Sequence, residues 1–327
     1  MTQPERLIEI WRGDRVESVH LGHIAICRPD GSLVESWGDP EATIYPRSSC
    51  KMLQAVPLLE EGVSGLTTER LALACASHQG AAIHTERVAH WLSDLGLSEE
   101  ALLCGPQDPA DRAARTALIR SSGMPGQIHN NCSGKHAGFL ALGQAMGAGP
   151  DYIDPDHPVQ RRILEAFEET TGETSPGFAI DGCSAPNFAT TVRGLARAMA
   201  VFASANAHSG ARAKAQARLV EAMIAHPDLV AGEGRACTAL MRAMRGVAVK
   251  TGAEGVFTAI LPKQKLGIAL KITDGATRAA EAAITAMLIR LGVLDQADPA
   301  ALLYLDAPIR NRRDLVTGYI RAAKPLH

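Results

Sequence analysis

Aromatic side chains are scarce in this 327-residue chain, at 4%, and no stripe of basic residues interleaves with them. Nucleic-acid binding normally uses such stripes and stacking platforms. The formal net charge is −2, so neither nucleic acid nor an anionic membrane is expected as a partner. Apolar runs are also short: none reaches the roughly eighteen residues that read as a membrane helix. Met1–Trp11 carries acidic residues and lacks the apolar core of a secretory signal. The expected location is therefore the cytoplasm. The seven cysteines, at 27, 50, 75, 104, 132, 183 and 237, are odd in number and irregular in spacing. They form no disulfide framework, which leaves reduced thiols, buried packing residues or metal ligands.

What remains is an ordinary globular composition. The chain is 46% hydrophobic and 21% charged, and its 30 glycines and 18 prolines are spread along it. Leu7–Trp11, Val16–Cys27 and Ser32–Trp37 alternate or run apolar, with Asp30-Gly31 as a hairpin signal. Helical spacing takes over at Ser48–Glu60 and continues through Thr68–Ala76, His84–Leu95, Ala110–Arg120, His136–Met146 and Val159–Thr171. Phe178–Ile180 reads as a short strand. Asn187–Ala203, Ala211–Ala225 and Ala236–Met244 again read as helices. Strands return at Val247–Lys250, Gly255–Leu261 and Leu266–Thr273, followed by a helix at Thr277–Leu291 and a strand at Thr317–Ala322. Hairpin-like strands at both ends predict an α/β (α+β) fold. The expected form is one antiparallel sheet built from both chain ends, about 1–45 plus 245–327, with a helical region of about 46–244 inserted. The whole chain, 1–327, is expected to act as a single catalytic unit.

Chemistry concentrates in a few segments. Ser48 and Lys51 stand i and i+3 on one face at a helix start. A serine hydroxyl needs a base to become a nucleophile, and a lysine made neutral by burial can be that base. With 16 serines and 8 lysines in the chain, S-x-x-K arises by chance about 0.4 times, so the motif alone is weak; a serine cap beside a solvated lysine reads equally well. Lys250-Thr251-Gly252 strengthens it. S-x-x-K on a helix start followed by K-T-G on a late strand are two signatures of penicillin-recognising serine enzymes, and Gly252 would let a substrate approach the backbone closely. His129–Phe139 is a dense polar cluster leading into a helix. Asp181–Asn187 follows a strand, where ligand groups gather in α/β proteins. Ala76–Gly80 reads as a helix end capped by Gly80.

RSSCK at 47–51, ASHQG at 76–80, HNNCSGKHAGFL at 129–140, DGCSAP at 181–186 and VKTGAEG at 249–255 together resemble the rhizobial-type (class 3) L-asparaginases, in order and over nearly the whole chain. The resemblance implies a serine β-lactamase-like fold, related to bacterial glutaminases. It implies hydrolysis of L-asparagine to L-aspartate and ammonia by Ser–Lys pairs, Ser48 with Lys51 and Ser77 with Lys250. It implies substrate contacts from His136, Asp181 and nearby Arg47. It further implies one zinc per subunit, held by Cys132, Lys135 and Cys183 and linked to substrate binding rather than to activating the hydrolytic water, and it implies a homodimer. From spacing alone, Cys132 and Cys183 read instead as buried thiols or a reversible disulfide. Glutaminase chemistry, a penicillin-recognising hydrolase and a non-enzymatic zinc or redox module are the alternatives. The S-D-N signature of penicillin-recognising enzymes is absent as such, and Cys50, inside the Ser–Lys turn, has no explanation at this level.

Overall fold

The computed structural model describes residues 3–326. The chain divides into two compact units. One comprises Met1–Ser49, Thr190–Ser204 and Ala239–His327; the other comprises Cys50–Ala189 and Ala205–Thr238.

The first unit is built on an eight-stranded sheet, antiparallel throughout. Its order is Ala307–Arg310, Val316–Ala322, Glu5–Arg12, Arg15–Cys27, Leu266–Ile272, Val256–Leu261, Ala248–Thr251, with Leu33–Trp37 also paired to Arg15–Cys27. Strands from both chain ends therefore share one sheet, as the sequence predicts. The turn after Cys27 closes where expected: Gly31 sits at φ +85°, and the Arg28 and Ser32 backbones bond across it. All six residues of Val256–Leu261 are buried, which explains why this strand reads as a continuous apolar run rather than an alternation. The helices Val192–Ser204 and Thr277–Arg290 pack on these central strands. Gly267 lets the first come close, because a Cβ there would lie 2.2 Å from Ala196 O and from Ala200 N.

Two readings change. Asn187–Ala203 is not helical from its start: Pro186–Phe188 and Thr190–Thr191 are short strands, and the helix begins at Val192. The strand Ala307–Arg310 was not foreseen; it lies at the sheet edge, where Pro308 is tolerated.

The second unit is helical. At its centre is Lys51–Glu60, eight of whose ten residues are buried, including Lys51 and Gln54. Helices Ser133–Ala145, Pro158–Thr171 and Gly210–Ala225 pack around it. Thr68–Ala74 packs on Ser133–Ala145, and Gly134 sets that approach. A Cβ at Gly134 would stand 2.5 Å from Leu73 O, so only glycine lets the start of one helix press on the backbone of the other.

Candidate active site

In the sheet unit, Ser48 and Ser49 lie in the 3-10 turn Arg47–Cys50, after which the helix Lys51–Glu60 begins. Ser48 is thus two residues short of the N-cap position; Cys50 occupies that position and makes no side-chain cap. Ser49 is sealed, its hydroxyl donating to Pro46 O at 2.7 Å, whereas Ser48 is half-buried. Arg47 takes φ +52°, an uncommon backbone conformation for a non-glycine residue and one that concentrates at functional sites. Lys250-Thr251-Gly252 ends the edge strand Ala248–Thr251 and runs beside this turn. A Cβ on Gly252 would lie 2.7 Å from Pro46 O and 3.1 Å from Ser49 N. Thr258 Oγ1 bridges the two segments, donating at 3.2 Å to Lys250 O or at 3.3 Å to Ser49 O. Lys250 is 1% exposed.

In the helical unit, the loop after Thr68–Ala74 and the start of Ser133–Ala145 meet Lys51. Lys51 Nζ lies within hydrogen-bond reach of Ala76 O, of Ser77 Oγ at 3.1 Å and of Cys132 Sγ at 3.0 Å. The side chain is only 1% exposed. The link from Lys51 to Ser77 and Cys132 is absent from the sequence reading. Ala76–Gly80 is not a helix end; the helix stops at Ala74, and the segment runs as a loop pinned at Ser77 N to Val230 O and at His78 N to Asn131 O. Gly80 has φ +69°.

One helical turn further on, Lys135 Nζ donates to Cys183 Sγ at 3.0 Å. The neighbouring Cys132 thiol, against the effect of burial, holds the Cys183 thiol well below its ordinary pKa; Lys135 and His136 add to the effect. The same pairing, together with burial, pushes Cys132 up. Burial works against the Lys135 ammonium, but the Cys183 and Cys132 sulfurs outweigh it and raise its pKa; Asp181 contributes in the same direction. His136, fully buried, is pushed down to about 4.

Sequence reasoning missed the supports of this cluster. Asn131 Oδ1 lies 2.9 Å from Cys132 Sγ, and Asn130 Oδ1 accepts from Cys132 N. His78 Nε2 lies 2.9 Å from Ser133 Oγ, and Cys104 sits close enough to Cys183 and Lys135 to feel their charge. Asn130, Asn131 and Ser133 were inside a segment already singled out, but no spacing rule assigns their partners. Cys50 is buried, with Asn187 Nδ2 3.9 Å from its sulfur.

No group of three or more His, Cys, Asp or Glu among the described residues could hold a metal ion. A cation here would have to take the Lys135 nitrogen beside two sulfurs. The donors fit zinc in kind, two sulfurs and a nitrogen, and binding would displace the protons they carry.

A buried lysine in contact with a serine hydroxyl is an arrangement that nucleophilic acyl transfer can use. The chain belongs to the L-asparaginase II family, whose sequence pattern matches residues 8–322. No curated protein matches it. Among solved structures it is similar to Mglu in its native form, at 16% identity and a TM-score of 0.47, over 86% of this chain and 66% of that one. It is also similar to a β-lactamase from Mycobacterium bovis, at 15% identity and a TM-score of 0.36, over 82% of this chain and 94% of that one. This chain thus spans just under two thirds of the length of Mglu. No helix is long and apolar enough to cross a membrane among the described residues.

Proposed function

We propose that the protein hydrolyses L-asparagine to L-aspartate and ammonia. Ser48 Oγ attacks the side-chain amide carbon while Lys51, three residues on, takes the hydroxyl proton. The C–N bond breaks as that proton passes to the leaving nitrogen, and ammonia departs. Water then attacks the aspartyl ester on Ser48, giving up a proton to Lys51, and aspartate leaves as the Ser48 hydroxyl is restored. Ser77 and Lys250 relay protons or orient Ser48. Arg47, His136 and Asp181 hold the charged α-groups of the substrate, and Gly252 lets it lie close to the backbone.

The observation that carries this reading is the buried Lys51 amine 3.1 Å from the Ser77 hydroxyl, within an L-asparaginase II family chain. A lysine with no carboxylate partner among the groups it contacts, bound to a hydroxyl, is suited to moving protons rather than to forming an ion pair. Cys132, Lys135 and Cys183 would hold one zinc, which when bound supplies an electrophilic anchor for the substrate. A homodimer acting in the cytoplasm completes the reading.

Ammonia release from L-asparagine and L-glutamine, at pH 7 to 9, tests it in wild type and Ser48→Ala. Asparagine turnover that vanishes in Ser48→Ala is the expected result. Turnover that persists removes Ser48 as nucleophile, and turnover of glutamine alone replaces asparagine as substrate. Metal analysis of protein purified without chelator tests the zinc assignment; a protein that contains none and takes up none refutes it.

A further inference from the structure

The helical unit contains a buried nitrogen that ordinary hydrogen bonding leaves over. His136 is fully buried, and its Nε2 makes no hydrogen bond of ordinary geometry, although it interacts with the Cys183 sulfur. Its other nitrogen is engaged: Nδ1 lies 2.9 Å from Tyr152 Oη. Tyr152 is 1% exposed, and its oxygen also accepts the backbone N–H of Leu103 at 2.7 Å.

These contacts fix the direction of each proton. A tyrosine hydroxyl has one proton to donate. With Leu103 N–H donating to the oxygen, the buried hydroxyl proton has His136 Nδ1 as its acceptor. A proton on Nδ1 would set two N–H donors on one oxygen and strand the hydroxyl proton. The ring is held in place as well: Tyr152 meets it edge-on, with centroids 5.4 Å apart and planes at 70°, and Phe139 flanks it at 5.6 Å. The proton of the neutral imidazole is therefore on Nε2, on the Cys183 side.

We propose that Tyr152 is a positioning residue that holds His136 as an Nε2–H donor, aimed at a substrate oxygen beside Cys183 and barred from ligating a metal. A metal-binding imidazole nitrogen must be bare, and Nε2 is not. The identity of that oxygen, a carboxylate or amide oxygen of asparagine, rests on the function proposed above; the tautomer does not.

The test is long-range proton–nitrogen NMR correlation of the full chain labelled at histidine nitrogen, with the His136 signals identified by their loss in His136→Gln. Wild type is expected to show the Nε2–H pattern. In Tyr152→Phe the hydroxyl is gone, and the Nδ1–H form should appear, alone or mixed; the KM for asparagine should rise about tenfold, equivalent to ~1.4 kcal/mol of lost orientation, with kcat within about threefold. Phe139→Leu alters the same ring environment without touching the hydroxyl and should leave the tautomer unchanged. An Nδ1–H pattern in wild type overturns the proposal, as does an unaltered pattern in folded Tyr152→Phe. Should Tyr152→Phe not fold, the wild-type spectrum decides alone. An Nε2–H pattern with no asparagine turnover overturns the substrate assignment only and leaves the role of Tyr152 standing.

Discussion

Lys51→Met separates what this lysine does for the fold from what it does for the reaction. Methionine has nearly the same length and keeps the buried volume, but it removes the amine and its hydrogen bonds. The loss removes one donor from each of Ala76 O, Ser77 Oγ and Cys132 Sγ, at about 1–3 kcal/mol for each buried group that has no other partner. Against this, an amine that is 1% exposed no longer has to be desolvated, which offsets much of that cost. The two effects oppose each other, so stability should change by no more than about 2 kcal/mol, which is a melting shift of less than ~8 °C. Activity should respond quite differently. A positioned general base contributes roughly 10²–10⁴-fold, so ammonia release from asparagine should fall by at least a hundredfold in a protein that still melts cooperatively. A thermal melt and an ammonia assay on the same preparation decide the matter. Turnover within tenfold of wild type would show that Lys51 is a structural bridge and not the base.

Three further substitutions and one pH profile extend the reasoning. Gly134→Ala puts a Cβ 2.5 Å from Leu73 O, and Gly252→Ala puts one 2.7 Å from Pro46 O; each should cost about 1–3 kcal/mol and depress kcat, whereas Gly149→Ala, with nothing within 4 Å, should melt like wild type. Equal melting of all three glycine variants would refute the close-approach argument. Burial, with His84 and Lys51 adding to it, holds His78 well below 6.5, and His136 is pushed to about 4. In the unfolded chain both take up a proton near 6.5, so the native state binds fewer protons below that pH, and stability that is fully present above about 6.5 is lost as pH falls. The slope should approach ~1.4 kcal/mol per pH unit for each histidine, and it should be shallower in His78→Gln. A melting temperature that stays flat from pH 7 to 5 contradicts this.

Much of the fold is legible because its signals are local. Glu5–Arg12 and Arg15–Cys27 announce themselves by β pattern, and Asp30-Gly31 by turn chemistry. The short strands Pro186–Phe188 and Thr190–Thr191 do not: their residues run straight into the apolar spacing of Val192–Ser204, and a strand of two or three residues has no period to detect. Ala307–Arg310 fails for another reason, since a proline and a terminal arginine in four residues carry no strand propensity, and pairing with Val316–Ala322 supplies what the sequence does not. Of the candidate site, the residue types were legible and the partnerships were not. Ser48 and Lys51 are three apart, a spacing that helix geometry makes suggestive, although Ser48 lies in the 3-10 turn before the helix that begins at Lys51. Lys51, Ser77 and Cys132 are 26 and 81 positions apart, and only the packing of three segments brings them together.

That packing is set largely by backbone meeting backbone, which explains why glycines punctuate the motifs. Gly134 lies between Cys132 and Lys135, and its missing Cβ is what allows this helix start to press on the Leu73 carbonyl. Gly80 closes that loop; a Cβ there would lie 2.8 Å from His129 O, in the segment that leads to Cys132. In the sheet unit Gly252 does the same for the Ser48 turn. Side-chain contacts can re-form around a substitution by changing rotamer, but a carbonyl pressed against a Cα cannot move without its strand or helix. Hydroxyl, amine and thiol groups held to hydrogen-bond distance in this way are placed by main chain, so their geometry is built at folding and does not await a ligand. Placement of that kind is what a reaction with little tolerance for misalignment requires.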